Sequence, residues 1–145
     1  MKLRRRRSSQ GFTLIELLLV VVIIGILAAI VVPRLVGRSD EARIAAAKGD
    51  LKSINDALGQ YEVDNGKYPN TAQTLGALLV KPAGAPEPKN WKGPYLSNIS
   101  EIPKDPWGNE YQYVCPGSKF PSGFDLYSLG PDGQGGTDDD IWLGK

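Results

Sequence analysis

Gly11-Phe12-Thr13-Leu14-Ile15-Glu16 opens the stretch that decides the fold, and residues 17–32 continue it with sixteen uncharged, mostly apolar side chains. Residues 12–32 number 21, roughly 31 Å of helix at about 1.5 Å per residue, against a bilayer core about 30 Å thick. An ionised group in hydrocarbon costs on the order of 3 kcal/mol even on lenient insertion scales. A carboxylate at the mouth of such a segment is therefore a functional candidate, and its partner has to be identified.

Working outward toward the amino terminus, Lys2, Arg4, Arg5, Arg6 and Arg7 precede the segment, with no acidic residue before Glu16. Such a cluster stays cytoplasmic, so residues beyond 32 are expected on the far side of the membrane. Loss of these five cations would leave twelve basic residues against sixteen acidic, near −4. That balance argues against a nucleic-acid partner for the exported part. Two plainer readings compete: an ordinary secretory signal with a cut near Ala29, and twin-arginine export. Neither accounts for Glu16.

Toward the carboxy terminus the period changes. Ile44, Ala47, Leu51, Ile54, Leu58 and Tyr61 recur at spacings of 3 and 4, the stripe of an amphipathic helix. Asn65-Gly66 is a stop signal. Gly25 and Pro33 mark where the helix bends, melts or merely changes character. The stripe serves either a coiled coil or packing on the chain's own later residues, and the second is favoured because residues 67–145 have little else to bury against. Residues 74–80 read as a short helix. Residues 82–94, with four prolines, read as an extended connector. Short strands are expected at 110–114, 124–128 and 140–143 between Gly- and Pro-rich turns. The fold class is α+β, a long helix on a small antiparallel sheet. The expected organisation is a leader at 1–11, a membrane helix at 12–33, its amphipathic continuation at 34–66 and a globular region at 67–145.

The hexapeptide 11–16 resembles the processing site of type IV pilins and type II secretion pseudopilins. The resemblance implies cleavage after Gly11 and methylation of the new amino-terminal Phe12 by a prepilin peptidase/methyltransferase, with Glu16 as an assembly residue. Cleavage creates an amine with an ordinary pKa near 8, and the Glu16 of an incoming subunit could pair with the amine of one already added. Burial of that pair is tolerable only with both partners present.

Further motifs are similar to the major pseudopilin family of type II secretion: residues 65–71 with Gln73 and Leu75, Trp91-Lys92-Gly93-Pro94-Tyr95-Leu96, Asp105-Pro106-Trp107-Gly108-Asn109-Glu110-Tyr111 and Tyr127-Ser128-Leu129-Gly130-Pro131-Asp132-Gly133. Two departures stand out. Thr74 occupies a position where Gly is usual, and Cys115 interrupts the Tyr-rich strand. The family implies a helical homopolymer anchored in the inner membrane before extraction, its globular part in the periplasm, assembled with minor pseudopilins and an inner-membrane assembly platform to help export folded proteins. The alternatives are a type IV pilus subunit or a membrane-tethered calcium-binding module.

With a single Cys no internal disulfide can close the carboxy-terminal region. Cys115 reads as a small apolar strand residue, or else as a reactive or intermolecular thiol. Asp132 and Asp138-Asp139-Asp140 flank a Gly-rich turn, which composition alone reads as a solvated acidic turn. The family resemblance implies calcium instead, in a loop over 129–140. Its ligands would be the side chains of Asp132, Asp139 and Asp140 with the carbonyls of Leu129, Pro131 and Thr137, Asp138 being exchangeable with Asp139. Calcium takes six to eight oxygens and mixes carboxylates with carbonyls.

No enzyme is expected. With no His and one Cys there is no Ser-His-Asp arrangement and no Cys-rich zinc cluster.

Overall fold

The computed structural model describes residues 11–143, except for the side chains of residues 31–38. Residues 1–10 of the expected leader lie outside the described residues. The order of elements is α1 (Leu14–Asn65), a 3-10 turn (Leu75–Leu78), β1 (Gln112–Val114), β2 (Asp125–Ser128) and β3 (Ile141–Trp142). Two compact units divide the chain, Met1–Ser39 and Asp40–Lys145.

In the first unit α1 exposes its apolar residues on every side, from Leu14 at 83% to Ile30 at 53%. A helix apolar all round needs lipid or other helices as its surroundings. The side chains of residues 31–33, the rest of the expected span, lie outside the described ones. Among the described residues no helix is long and apolar enough to cross a membrane. The helix is assigned without interruption through Gly25 and Pro33.

The second unit is built on the predicted stripe. Ala47, Leu51, Ile54, Leu58 and Tyr61 are buried, as is Ala57, and Ile44 packs at the edge of the same cluster. They meet Leu75, Ala77 and Leu78 of the 3-10 turn together with Leu96, Tyr111, Leu126 and Ile141. Intramolecular packing is thus what the stripe serves. Each fully buried Leu or Ile is worth about 1.5–3 kcal/mol over leaving it in water.

The helix ends where Asn65-Gly66 directs. The Gly66 N–H donates to the Glu62 carbonyl at 2.6 Å, and Gly66 takes the left-handed φ of 77° that a helix C-terminus favours. Asn65 Nδ2 donates both to the Tyr61 carbonyl at 3.0 Å and to the Tyr95 hydroxyl at 3.2 Å. The helix terminus is thereby tied to the 91–96 motif. That motif is in turn locked onto the 3-10 turn, by Trp91 Nε1 to the Ala77 carbonyl at 2.9 Å and by the Tyr95 N–H to the Leu78 carbonyl at 2.7 Å.

The sheet is antiparallel in the order β1-β2-β3, with Tyr113 opposite Leu126 and Ser128 opposite Ile141. The strands are shorter than expected at their ends. Glu110 makes only an isolated bridge to Lys104, and Asp140 is drawn into the acidic loop by a bond from the Gly136 N–H to its Oδ2 at 2.8 Å. Cys115 follows β1 instead of lying inside it. Its N–H donates to Thr71 Oγ1 at 2.9 Å and its carbonyl accepts from the Thr71 N–H at 3.2 Å.

The expected helix over 74–80 contracts to one 3-10 turn with Thr74 as its N-cap. Thr74 sits at φ 54° and ψ −178°, a region essentially reserved for Gly and costing about 1–3 kcal/mol for other residues. The family's usual Gly is thereby explained. The Thr74 hydroxyl accepts from the Gly76 N–H at 3.2 Å, which offsets part of the strain. Replacing an N-cap hydroxyl by Gly costs only a few tenths of a kcal/mol. Thr74→Gly is therefore expected to stabilise the globular unit by about 1 kcal/mol, read as a higher thermal midpoint. A lower midpoint would show that the hydroxyl outweighs the backbone.

Candidate functional site

Two places carry the expected functional residues, one in each unit. At the amino-terminal end, Gly11 and Phe12 precede α1 and are exposed, Phe12 by 75%. Glu16 stands in the first turn. Its Oε2 accepts from the Thr13 N–H at 2.9 Å and from the Thr13 hydroxyl at 2.9 Å, while Thr13 Oγ1 accepts from the Glu16 N–H at 3.2 Å. This is a reciprocal capping box. Thr-x-x-Glu is a sequence signature of that motif, and sequence reasoning that treated Glu16 only as an intermolecular partner passed over it. Within one chain the carboxylate already has a local partner, exposed to solvent and free to exchange.

The second place is the loop between β2 and β3. A chain that doubles back between neighbouring strands brings residues 129–132 against residues 137–140. The Asp132 N–H donates to Asp139 Oδ2 at 3.1 Å. The Thr137 hydroxyl stands 2.6 Å from Asp139 Oδ1 and 3.5 Å from Asp132 Oδ1, between the two carboxylates. Asp132 Oδ1 also accepts from the Gln134 N–H at 2.8 Å. Donation from Thr137 and from the Asp132 backbone holds the Asp139 carboxyl below the usual carboxylate range. Asp138 is exposed and takes no part in this network.

Gly130 marks where the two limbs touch. At φ 67°, an added Cβ would fall 2.3 Å from the Asp139 carbonyl oxygen. Only a residue without a side chain permits that approach.

Asp140 behaves differently from Asp132 and Asp139. Its Oδ2 accepts from the Gly136 N–H, whereas its Oδ1 is buried without a hydrogen-bond partner. An orphaned buried carboxylate oxygen costs about 1–3 kcal/mol or more, so it calls for a cation or a donor. Among the described residues no group of three Asp, Glu, His or Cys side chains comes together to hold a metal ion. A cation in this loop would have to draw on backbone carbonyls as well. The donors on offer are all oxygen, which suits a hard cation such as calcium.

Sequence reasoning missed the supports of this loop. Tyr127 stacks on Trp142 with ring centroids 4.3 Å apart, and Lys119 Nζ lies 3.8 Å from the Trp142 ring centre. The Tyr127 hydroxyl lies beside Gly135, 3.4 Å from where a Cβ there would stand. Buried Asp105 accepts from the Trp107 N–H at 3.1 Å and the Asn109 N–H at 2.8 Å through Oδ1, and from the Ser128 hydroxyl at 2.6 Å through Oδ2. Asp-Pro-x-Gly-Asn is a turn signal in its own right. Its link to the loop is not visible in sequence.

Comparison with known proteins places these features in a family. Residues 34–143 match the family model described as type II secretion system protein G, and residues 6–32 match the prokaryotic N-terminal methylation motif. A type II secretion system core protein G of Pseudomonas aeruginosa is 56% identical over 143 residues, 97% of each chain. Its counterpart in Vibrio cholerae is 47% identical over 92% of this chain and 88% of that one. The solved structure of the major pseudopilin from the type 2 secretion system of enterohaemorrhagic Escherichia coli superimposes with a TM-score of 0.63 at 41% identity, covering 77% of this chain and 94% of that one.

Proposed function

Since this chain belongs to the type II secretion system protein G family, the major pseudopilins, we propose that it polymerises from the inner membrane into a periplasmic pseudopilus that helps export folded proteins across the outer membrane. The observation that carries the reading is the exposed Gly11-Phe12 junction, directly before a helix that bears one carboxylate in its first turn and then sixteen uncharged, mostly apolar residues. A prepilin peptidase would cut there and methylate Phe12. Residues 12–33 would anchor the subunit as a single span, with the globular unit in the periplasm. Minor pseudopilins and an inner-membrane assembly platform would be its partners. Its role is that of a structural subunit and a peptidase substrate, not of a catalyst.

Assembly follows from the charges. The amine freed at Phe12 gains a counter-ion when the Glu16 of a neighbouring subunit exchanges Thr13 for it. Freed from lipid, the apolar helices bury one another again in a central bundle.

Calcium would order the carboxy-terminal loop. Asp132, Asp139 and Asp140 would hold it with the carbonyls of Leu129, Pro131 and Thr137, and buried Asp140 Oδ1 would gain the partner it lacks. Bound there, the cation supplies two positive charges to carboxylates that otherwise repel. Hydrogen bonds from Thr137 and the Asp132 N–H favour the charged form of Asp139 that such a cation would meet.

Mass measurement of the mature amino terminus, with and without the processing peptidase, tests the reading. A chain starting at N-methylated Phe12 only when the peptidase is present is the expected result. An intact Met1, or a cut near Ala29, would overturn it.

A further inference from the structure

The two backbone groups of Gly130 are both held by a turn that is remote in sequence. Its carbonyl accepts from Asn109 Nδ2 at 3.3 Å. Its N–H donates at 3.1 Å to the Ser128 hydroxyl, which donates in turn to Asp105 Oδ2 at 2.6 Å. Asp105 and Asn109 are the ends of one tight turn, closed by the Asp105 N–H on the Asn109 carbonyl at 2.8 Å and the Gly108 N–H on the Asp105 carbonyl at 2.9 Å. A single turn thus fixes Gly130 from both sides.

The consequence reaches the acidic loop through contact. Gly130 packs on the Asp139 carbonyl so closely that no Cβ fits, and Gly133 lies against the Asn109 side chain, an added Cβ meeting its Oδ1 at 3.4 Å. The 129–133 limb of the loop is therefore referenced to residues 105–109, and the 137–140 limb meets it through the contact of Asp139 with Gly130. Asn109 is half-buried and spends one side-chain donor on Gly130.

We infer that the 105–109 turn preorganises the loop for a divalent cation, with Asn109 as the positioning residue that clamps Gly130. The inference rests on the calcium reading above. Preorganisation raises affinity by removing ordering cost from the binding step. Loss of one such constraint is expected to weaken binding by about tenfold, the size of a single modest hydrogen bond.

The test uses the full chain in detergent micelles, with calcium titrated calorimetrically and thermal midpoints taken with and without the metal. For Asn109→Ala the expected result is an approximately tenfold weaker calcium Kd with a metal-free midpoint close to wild type, so that the metal-induced rise in midpoint shrinks. Ser128→Ala, which frees the Gly130 N–H, should weaken Kd in the same direction. A purely structural role would lower the metal-free midpoint and leave Kd unchanged, and that outcome overturns the inference while sparing the calcium reading. Wild type that takes up no calcium overturns both.

Discussion

Glu16→Ala is expected to abolish filament assembly while leaving processing at Gly11 and membrane insertion intact. Two losses are combined in that variant. The first is the capping box with Thr13, worth about 1 kcal/mol to the start of the helix. The second is the charge that would neutralise the Phe12 amine of a neighbour, and removing one partner of a buried ion pair costs about 3–5 kcal/mol. Glu16→Gln separates them, because Gln also closes a capping box but carries no charge. Sheared-filament yield and crosslinking between subunits are the measurements. Both variants should fall to background. Normal assembly by Glu16→Gln would assign the residue to the cap and remove the inter-subunit charge pair.

Calcium withdrawal is expected to have the next largest effect. A ligand present at 100 to 1,000 times its Kd stabilises the native state by about 2.7–4.1 kcal/mol. For a globular unit of about 100 residues, each kcal/mol moves the thermal midpoint by roughly 4–8 °C. A chelator should therefore lower the midpoint of the full chain in detergent by about 10–30 °C, and excess calcium should restore it. Asp139→Ala should give a low midpoint that neither treatment changes, together with reduced filament yield. The direction follows from the structure: Asp140 Oδ1 is buried without a partner, and Asp132 and Asp139 adjoin through one hydroxyl and one N–H. A wild-type midpoint indifferent to chelator would leave the loop as a self-satisfied acidic turn, stabilised by Thr137 and backbone donors alone. Filaments forming normally from Asp139→Ala would break the link between loop order and assembly.

Departures of the molecule from sequence expectation have local causes. The helix over 74–80 shrinks to Leu75–Leu78 because Gly76 lies within it and Thr74 enters it from a backbone region no helix uses. β1 begins at Gln112, not at 110, because Glu110 still belongs to the bridge with Lys104 that closes the preceding turn. Cys115, expected on a strand, falls just past it, where Thr71 takes over its backbone pairing. Asp138 and Asp139, interchangeable as expected ligands in a run of three identical residues, differ in their hydrogen bonding. Asp139 faces Asp132 and Thr137, and Asp138 does not.

Read alone, the amino-acid sequence determined the apolar segment with its carboxylate, the amphipathic stripe from Ile44 to Tyr61, the stop at Asn65-Gly66 and three short strands of a small antiparallel sheet. All of these are written in neighbours or in a period of 3.6 or 2 residues, so they are legible without tertiary contacts. Only the tertiary structure decided what supports the acidic loop, because Asn109 reaches Gly130 across 21 positions and Asp105 reaches Ser128 across 23. Hydrogen bonds at that separation leave no periodic trace in the chain. They exist only after the core of α1 has brought the turn and the sheet to the same place.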